Sequence, residues 1–266
     1  MHPVLFSIDG LTIYTYGLCM SVAFLVSFGW GLLEVKRRGL SVETGIDLTF
    51  WALISGLFFS RLAYVLVNLS FFIANPLRTV MIWEGGLVWY GAFFGAIAAG
   101  AIFFRAHKLN GWLWADIAAP FFALGQGIGR IGCFMAGCCY GRPTDLCWGV
   151  VFTKSEIAPL GVPLHPAQLY AVVANLLLFL FLFQRRRRSN FDGEQILAYV
   201  ILYAVLRSIL EVFRGDPRGF WLGGTVSTSQ MIAVVAVMGA AGLYYYLKSR
   251  GKTSRTEREA GTESGS

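Results

Sequence analysis

Seven long apolar stretches are the feature of this sequence that most restricts its fold. Roughly 20 apolar residues in a helix are needed to cross the hydrocarbon core of a bilayer. Backbone groups in lipid must also be paired within their own segment, so we expect each stretch to be helical. They are Tyr14–Leu33, Leu48–Phe72, Gly86–Phe104, Leu113–Met135, Pro166–Phe183, Glu194–Phe213 and Thr225–Leu247. The sequence therefore predicts an all-α integral membrane protein with seven transmembrane helices.

The composition agrees with a membrane protein. Hydrophobic residues make up 56% of the chain and charged residues only 14%, whereas a water-soluble domain carries about 25% charged residues. The net charge of +7 would suit nucleic acid if it formed one basic surface. The basic residues instead lie between the apolar stretches, so we expect a lipid bilayer and no nucleic acid as partner.

The positions of lysine and arginine predict an orientation. With the N-terminus outside, the inner segments would hold fourteen of them and the outer segments five. This bias follows the positive-inside rule and predicts an N-out, C-in protein with short extracytoplasmic loops, the longer ones at 73–85 and 136–165. We predict one transmembrane domain over residues 1–247. The polar segment 248–266 lacks aromatic residues and is predicted to be a disordered cytoplasmic tail.

Charged residues inside the predicted helices are candidates for function, because a charge at mid-membrane costs about 2.5–3.5 kcal/mol on insertion scales. Arg207, Glu211 and Arg214 share one helical face, so Glu211 can hold either guanidinium in a fixed pose. A structural ion pair is the alternative for a single arginine. Several intramembrane arginines suggest an anion site, and a lipid phosphate is the natural anion there. We expect Arg130 and Arg207 to face one shared cavity. The candidates are Arg61, Asp116, Arg130, Arg207 and Glu211.

The segment around Arg130 is rich in glycine. Gly125, Gly129 and Gly132 would give their helix a smooth face for close packing. The string Gly127–Gly132 also matches the dinucleotide-binding fingerprint formally. We reject that match, because it ends a membrane helix, follows no strand and has no acidic residue about 20 positions later.

Four cysteines follow this segment closely. Cys133, Cys138, Cys139 and Cys147 lack the second pair or the histidine that a zinc site would need. We expect small packing residues, no metal and no cofactor. A disulfide such as Cys139–Cys147 stays open if the loop faces an oxidising compartment.

A short motif, His165–Tyr170, opens the fifth apolar stretch. Pro166 suits the first turn of a helix, so His165 and Gln168 would lie at the outer mouth of that helix. A lone histidine is more often structural than catalytic. Its position beside Gln168 and Tyr170 at the membrane surface favours a substrate-binding role.

At six places the sequence resembles the prolipoprotein diacylglyceryl transferase family, in order along nearly the whole membrane part. The matching strings are Tyr16–Leu18, Ser60–Tyr64, Trp83–Leu87, Gly129–Phe134, His165–Tyr170 and Arg207–Pro217. The resemblance implies transfer of an sn-1,2-diacylglyceryl group from phosphatidylglycerol to the lipobox cysteine thiol of a prolipoprotein signal peptide. It also implies a bacterial inner-membrane location and a thioether product.

The resemblance carries site residues over by position. Arg130 and Arg207 match the essential arginines of the family, and Tyr16 its tyrosine. Glu211 and Arg214 match the acid and the arginine further along the Arg207 helix. We predict catalytic roles for Arg130, Arg207, Tyr16 and Tyr90, and substrate binding by Arg130, Arg207, Glu211, Arg214, Arg61, His165 and Gln168.

The chain departs from the family pattern at three positions. Tyr90 stands where many members have a histidine, Cys133 replaces an asparagine and Cys138 replaces a glutamate. A histidine base at the Tyr90 position is therefore absent from this chain. Tyr90 has three roles open to it: a general base, a hydrogen-bond donor to the phosphate, or an interfacial anchor, and we favour the donor.

Two alternative functions remain on the sequence alone. One is a non-catalytic relative that binds or transports phospholipid, for which paired inverted repeats would be typical. The other is a transferase that moves a different group. The retained Arg130, Arg207 and Glu211 favour the diacylglyceryl transferase.

Overall fold

The computed structural model of the protein describes residues 4–8, 11–155, 157–216, 220–221 and 226–263. Two compact units are formed, one by residues 1–31 and 112–266 and the other by residues 32–111. The α-helices among the described residues are α1 (Thr15–Arg37), α2 (Val42–Val67), α3 (Leu69–Ala74), α4 (Trp89–Ala106), α5 (Gly111–Ala136), α6 (Ala167–Arg185), α7 (Glu194–Glu211) and α8 (Thr228–Glu263).

Short antiparallel ribbons and two 3-10 turns complete the described structure. The ribbons pair β1 (Val4–Ile8) with β2 (Leu11–Tyr14), β3 (Val150–Val151) with β4 (Pro163–Leu164), and β5 (Phe220–Trp221) with β6 (Val226–Ser227). The 3-10 turns are Pro76–Val80 and Ile82–Glu84. The all-α prediction is confirmed for the main elements, and the ribbons were not predicted.

Six helices are long and apolar enough to cross a membrane: α1, α2, α4, α5, α6 and the part of α8 from Thr228 to Ser249. Six of the seven predicted spans are thereby confirmed by length and composition. The remaining one, Glu194–Phe213, corresponds to α7, which has 18 residues and carries Glu194, Arg207 and Glu211. The protein is a multi-pass membrane protein. Large apolar side chains on these helices are exposed, as a lipid-facing surface requires, for example Leu33, Phe58 and Val235.

The last helix continues beyond its apolar part. The sequence predicts a disordered tail over 248–266, whereas α8 extends to Glu263 in the structure. The division into one domain and a cytoplasmic tail stays a prediction.

In the unit of residues 32–111, α2 and α4 pack through glycines. A side chain at Gly91 would place its Cβ atom 2.4 Å from the carbonyl oxygen of Phe59, and one at Gly95 would meet Phe59 itself. The Ser55 hydroxyl donates a 2.8 Å hydrogen bond to the Gly95 carbonyl. The two helices therefore approach backbone to backbone, as small residues allow in a membrane.

In the other unit, α5 packs against α1 through the predicted glycine face. A Cβ atom at Gly125 would lie 2.9 Å from the Ser27 hydroxyl oxygen, and one at Gly132 would lie 2.9 Å from Cβ of Cys19. The close packing predicted for this face is confirmed. Phe121 and Leu124 of α5 join α6 and α7 in a buried core with Phe179, Leu182 and Tyr199.

Asp116 connects α5 to the start of α7. Its carboxylate accepts hydrogen bonds from the backbone amides of Gly193 at 2.8 Å and Ile196 at 2.9 Å. These amides belong to the helix terminus that has no intrahelical acceptor, and the positive end of the helix dipole also favours a carboxylate there. Asp116, one of the intramembrane charges singled out in the sequence, therefore caps a helix.

Candidate active site

Three arginines line one cleft between α5, α6 and the end of α7. Arg130 comes from α5, Arg207 from α7, and Arg214 from the segment after α7. The cleft contains about 370 Å³ of space free of atoms, part of it open to the surroundings. The predicted shared cavity for Arg130 and Arg207 is confirmed as geometry. The other lining residues are Ala167, Ala171, Asn175, Tyr203, Leu206 and Leu210.

Arg207 is held by Glu211. The two side chains form a hydrogen-bonded ion pair one helical turn apart on α7, and they are 15% and 9% exposed. An i, i+4 pair lies on one helix face. Since the carboxylate lies beside the guanidinium on its own helix, it restricts the directions in which the arginine can reach.

Arg214 has a different acidic partner. Its Nε and Nη2 atoms each donate a 2.9 Å hydrogen bond to the carboxylate of Asp216. This two-point contact fixes the guanidinium plane. Glu211 bonds Arg207, which is one of the two partners that its spacing predicted. The pairing of Arg214 with Asp216 was not predicted.

Backbone contacts bring the segment of Arg214 to the loop after α5. Gly215 donates a 3.1 Å hydrogen bond to the Tyr140 carbonyl, and Arg142 donates one of 2.9 Å to the Phe213 carbonyl. A Cβ atom at Gly141 would lie 2.3 Å from the His165 carbonyl oxygen and 2.9 Å from that of Phe213. Glycine is therefore required at position 141, where three segments of backbone meet.

The loop after α5 gathers three cysteines. The sulfur atoms of Cys133, Cys138 and Cys139 all lie within 4.8 Å of one another, and each residue is partly buried. Gly137 and Cys139 have positive φ angles of 75° and 59°, so the chain reverses direction here. Hydrogen bonds from the Cys133 and Cys138 thiols, and then one from Arg214, lower the pKa of Cys139, while burial opposes them.

Tyr16 lies next to this cluster. The Tyr16 backbone contacts the Gly132 position, and its hydroxyl is near enough to Arg130 and the three cysteines to interact with them electrostatically. Its side chain remains 42% exposed. The structure therefore brings Tyr16 to the same end of α5 as Arg130.

The His165 motif lies at the start of α6, as the sequence predicts. The ring nitrogen Nδ1 of His165 is 3.2 Å from the Tyr170 hydroxyl, and its backbone amide donates to the Arg142 carbonyl at 2.9 Å. Gln168 is 1% exposed and donates a 2.8 Å hydrogen bond from its Nε2 atom to the Cys138 carbonyl. Gln168 therefore connects α6 to the cysteine loop.

Asn175, two turns further along α6, was missed by the sequence analysis. It is 4% exposed and lines the arginine cleft. Its Nδ2 atom donates a 2.7 Å hydrogen bond to the Ala171 carbonyl, while its Oδ1 atom is buried with no hydrogen-bond partner. A buried acceptor without a donor is unfavourable, so this oxygen is suited to a donor on a bound molecule. An asparagine in an apolar run was the only signal for it in the sequence.

Arg61 and Tyr90 belong to the unit of residues 32–111. The five N–H groups of Arg61 donate to carbonyls of the 78–86 loop: its Nε atom to Thr79, its Nη1 atom to Gly85 and Gly86, and its Nη2 atom to Arg78 and Met81. Tyr90, in the first turn of α4, is 53% exposed and lies beside the Trp89 ring. In the structure Arg61 organises this loop, and the predicted substrate contacts of both residues stay predictions.

Several known proteins with similar sequences share one description. The family model described as prolipoprotein diacylglyceryl transferase matches residues 3–246. The phosphatidylglycerol–prolipoprotein diacylglyceryl transferase of Clostridium tetani is 37% identical over 238 residues, which are 90% of this chain and 94% of that protein. The second such enzyme of Clostridium perfringens is 33% identical over 97% of this chain and 100% of that protein. That of Geobacter sulfurreducens is 35% identical over 88% and 90%.

Proposed function

This chain belongs to the prolipoprotein diacylglyceryl transferase family, and we propose that its arginine cleft binds the phosphate of phosphatidylglycerol during the reaction. The protein is a transferase that moves the diacylglyceryl group to a prolipoprotein. The acceptor in the proposal is the lipobox cysteine of the signal peptide.

The reaction explains why arginines are suited to this cleft. A carbon–sulfur bond forms to the acceptor thiol, the bond from the same carbon to the phosphate oxygen breaks, and the thiol proton leaves. The phosphodiester departs as glycerol phosphate, whose phosphate gains negative charge. Fixed positive charge aimed at that oxygen stabilises the transition state more than the bound lipid.

The observation that carries the proposal is the convergence of Arg130, Arg207 and Arg214 on one cleft. Glu211 and Asp216 hold two of the three guanidinium groups in fixed directions. Guanidinium groups bind phosphate through two parallel hydrogen bonds, which a flexible ammonium does not reproduce. Phosphate binding by Arg130, Arg207 and Arg214 is therefore supported by position and by preorganisation.

Asn175 extends the proposal to the lipid headgroup. The glycerol headgroup carries hydroxyls, which are donors, and the Asn175 Oδ1 atom is an acceptor that needs one. We assign this oxygen to a headgroup hydroxyl. His165 and Gln168 would shape the mouth of the cleft, and Tyr16 would face the reacting groups beside Arg130.

The other unit has two assigned roles in the proposal. Arg61 would keep the 78–86 loop in the shape that admits the substrates, because its donors are bonded to that loop. Tyr90 would donate a hydrogen bond to the phosphate.

The membrane arrangement is also part of the proposal. We infer seven spans in the bacterial inner membrane, with α7 as the seventh because its charges lie on the cleft, and an N-out, C-in orientation. Residues 1–247 would be one transmembrane domain and 248–266 a cytoplasmic tail. The loop of residues 137–166 would then face the outside, where the signal peptide presents its cysteine.

Complementation tests the function directly. The gene should rescue a bacterium depleted of its own transferase, and mass spectrometry should find a diacylglyceryl thioether on the lipobox cysteine of a reporter lipoprotein. R207A, checked for membrane insertion, should give neither result. A rescued strain whose reporter is unmodified would refute the proposal.

A further inference from the structure

The cysteine cluster has a geometry that its sequence spacing does not reveal. The spacing C-x4-C-C lacks a second pair, which is why the sequence predicts no metal. The fold instead turns the last residues of α5 and the following loop toward each other, and the three sulfur atoms come within 4.8 Å of one another. Their arrangement is a triangle, so a single disulfide would leave one sulfur out.

The size of the triangle suits a metal ion with tetrahedral coordination. A zinc–sulfur distance of about 2.3 Å places sulfurs of one tetrahedral site about 3.8 Å apart. The separations in the structure, all within 4.8 Å, are close to that value. Cys139 reaches the triangle through a positive φ of 59°, and such backbone conformations in residues other than glycine cluster at functional sites.

Two arginines lie close to the triangle. Arg214 interacts favourably with Cys139, and Arg130 interacts electrostatically with Cys133 and Cys139. Three thiolates around a divalent ion leave one net negative charge, which these arginines would balance. Charged and polar groups next to the ligands are also typical of metal sites, where they hold the ligands and tune the metal.

We propose that Cys133, Cys138 and Cys139 bind one thiophilic d10 cation of the zinc class, whose open fourth position takes the acceptor thiol. The second half rests on the proposed function. When the ion binds, any protons still on these cysteines are released to solvent. Three protein ligands with one open position are typical of reactive rather than purely structural zinc sites.

This site would activate the acceptor thiol, a role for which the departures from the family pattern leave no histidine base. The chain has no histidine at position 90, and two of the three cysteines replace the asparagine and the glutamate of the family. A thiol that coordinates such a cation is deprotonated. The lipobox thiol would therefore be activated as a metal-bound thiolate beside Arg130, without a protein base.

Metal binding is tested first, with no substrate present. Cadmium titrated into the reduced, purified protein should give thiolate-to-metal charge-transfer absorption that saturates at about one ion per chain. C133S, C138S and C139S should each weaken binding at least about 10-fold. Loss of a residue that only supports a metal ligand typically costs about 10- to 100-fold, and loss of a ligand itself should cost no less. C147S is the matched control from the same loop, because Cys147 is exposed and outside the triangle.

The wild-type titration keeps the test valid if a variant does not fold. Reduced wild-type protein that binds no cadmium, or equal loss in C147S and C139S, overturns the metal site. Thiol counting before reduction adds a second check. Two thiols missing from the triangle, together with no metal uptake after reduction, would identify a disulfide instead.

The fourth position is tested with cobalt. A lipobox peptide with its cysteine should alter the visible spectrum of the cobalt-loaded protein by adding a thiolate ligand, and the same peptide with serine should not. Identical spectra with both peptides overturn the activation role. If modification in the complementing strain persists when metal binding is lost, this inference fails and the proposed function stands. If the protein binds metal but modifies no lipoprotein, the proposed function fails and the metal site stands.

Discussion

Arg207 and Glu211 form an ion pair across one turn of α7, with side chains that are 15% and 9% exposed. The same arginine lines the cleft that also receives Arg130 and Arg214. Because the carboxylate is fixed on the same helix, Arg207 is oriented before any lipid arrives. Preorganised charge of this kind is the largest contribution in many enzymes.

Replacing Arg207 tests the geometry of phosphate binding. We expect R207A to lose activity completely and R207K to retain about 1% or less, since loss of one preorganised donor costs about 100- to 1,000-fold and lysine lacks the planar fork. Steady-state transfer to a lipobox peptide measures this. The matched control is the arginine at position 187, which is exposed near the end of α6, and R187K should be fully active. Full activity in R207K would contradict the two-point contact.

The unpaired oxygen of Asn175 predicts selectivity among lipids. N175L should lower the rate with phosphatidylglycerol about 3- to 10-fold, the size of one neutral hydrogen bond, and mainly through KM. The wild type should prefer phosphatidylglycerol to an analogue whose headgroup has no hydroxyls, and N175L should not distinguish the two lipids.

N175D provides the opposite perturbation at the same position. A carboxylate in the cleft would attract the arginines and repel the phosphate, so we expect a larger loss than in N175L. Unchanged lipid preference in N175L would refute the headgroup contact.

One substitution at Tyr90 distinguishes its three candidate roles. If its hydroxyl donates to the phosphate, Y90F should lower turnover about 10- to 100-fold, as for one hydrogen bond to a charged group. The alkaline limb of the pH–rate profile should not change, because a donor does not titrate in the reaction. W89F, beside it, is the control for packing. Wild-type turnover in Y90F would identify an interfacial anchor, and a displaced alkaline limb would identify a base.

Cysteine labelling in intact cells tests the orientation. Native Cys147 is exposed in the loop of residues 137–166, so an impermeant maleimide should label it from outside, and C147S should remove that label. In the C147S background, R187C should be labelled only after the membrane is opened. Labelling of R187C in intact cells would invert the predicted topology.

Several parts of the fold were predictable from the sequence because a bilayer limits what an apolar stretch can do. The six apolar spans and the glycine face of α5 followed from hydropathy and spacing alone. The Arg207–Glu211 pair followed from helical periodicity. Such features depend on residues close together in the sequence or on one helix face.

The rest depends on the backbone path after a helix ends or on how helices pack. Asp216 pairs with Arg214 after the helix has ended, where no periodicity applies. The cysteine triangle depends on positive φ angles at Gly137 and Cys139, and the cleft position of Asn175 depends on how α6 meets α7. None of these can be read from spacing, because the first two depend on irregular backbone and the third on tertiary packing.

Asp116 has a consequence for the timing of membrane insertion. Its two donors, Gly193 and Ile196, follow it by 77 and 80 residues. Translation at about 5–20 residues per second makes α7 available roughly 4–16 s after α5. During that interval the carboxylate is in or near the membrane without the amides that later cap it. The amino end of α7 should therefore hold α5 in place once it has been synthesised. We expect α5 to become resistant to extraction from the membrane only at that point.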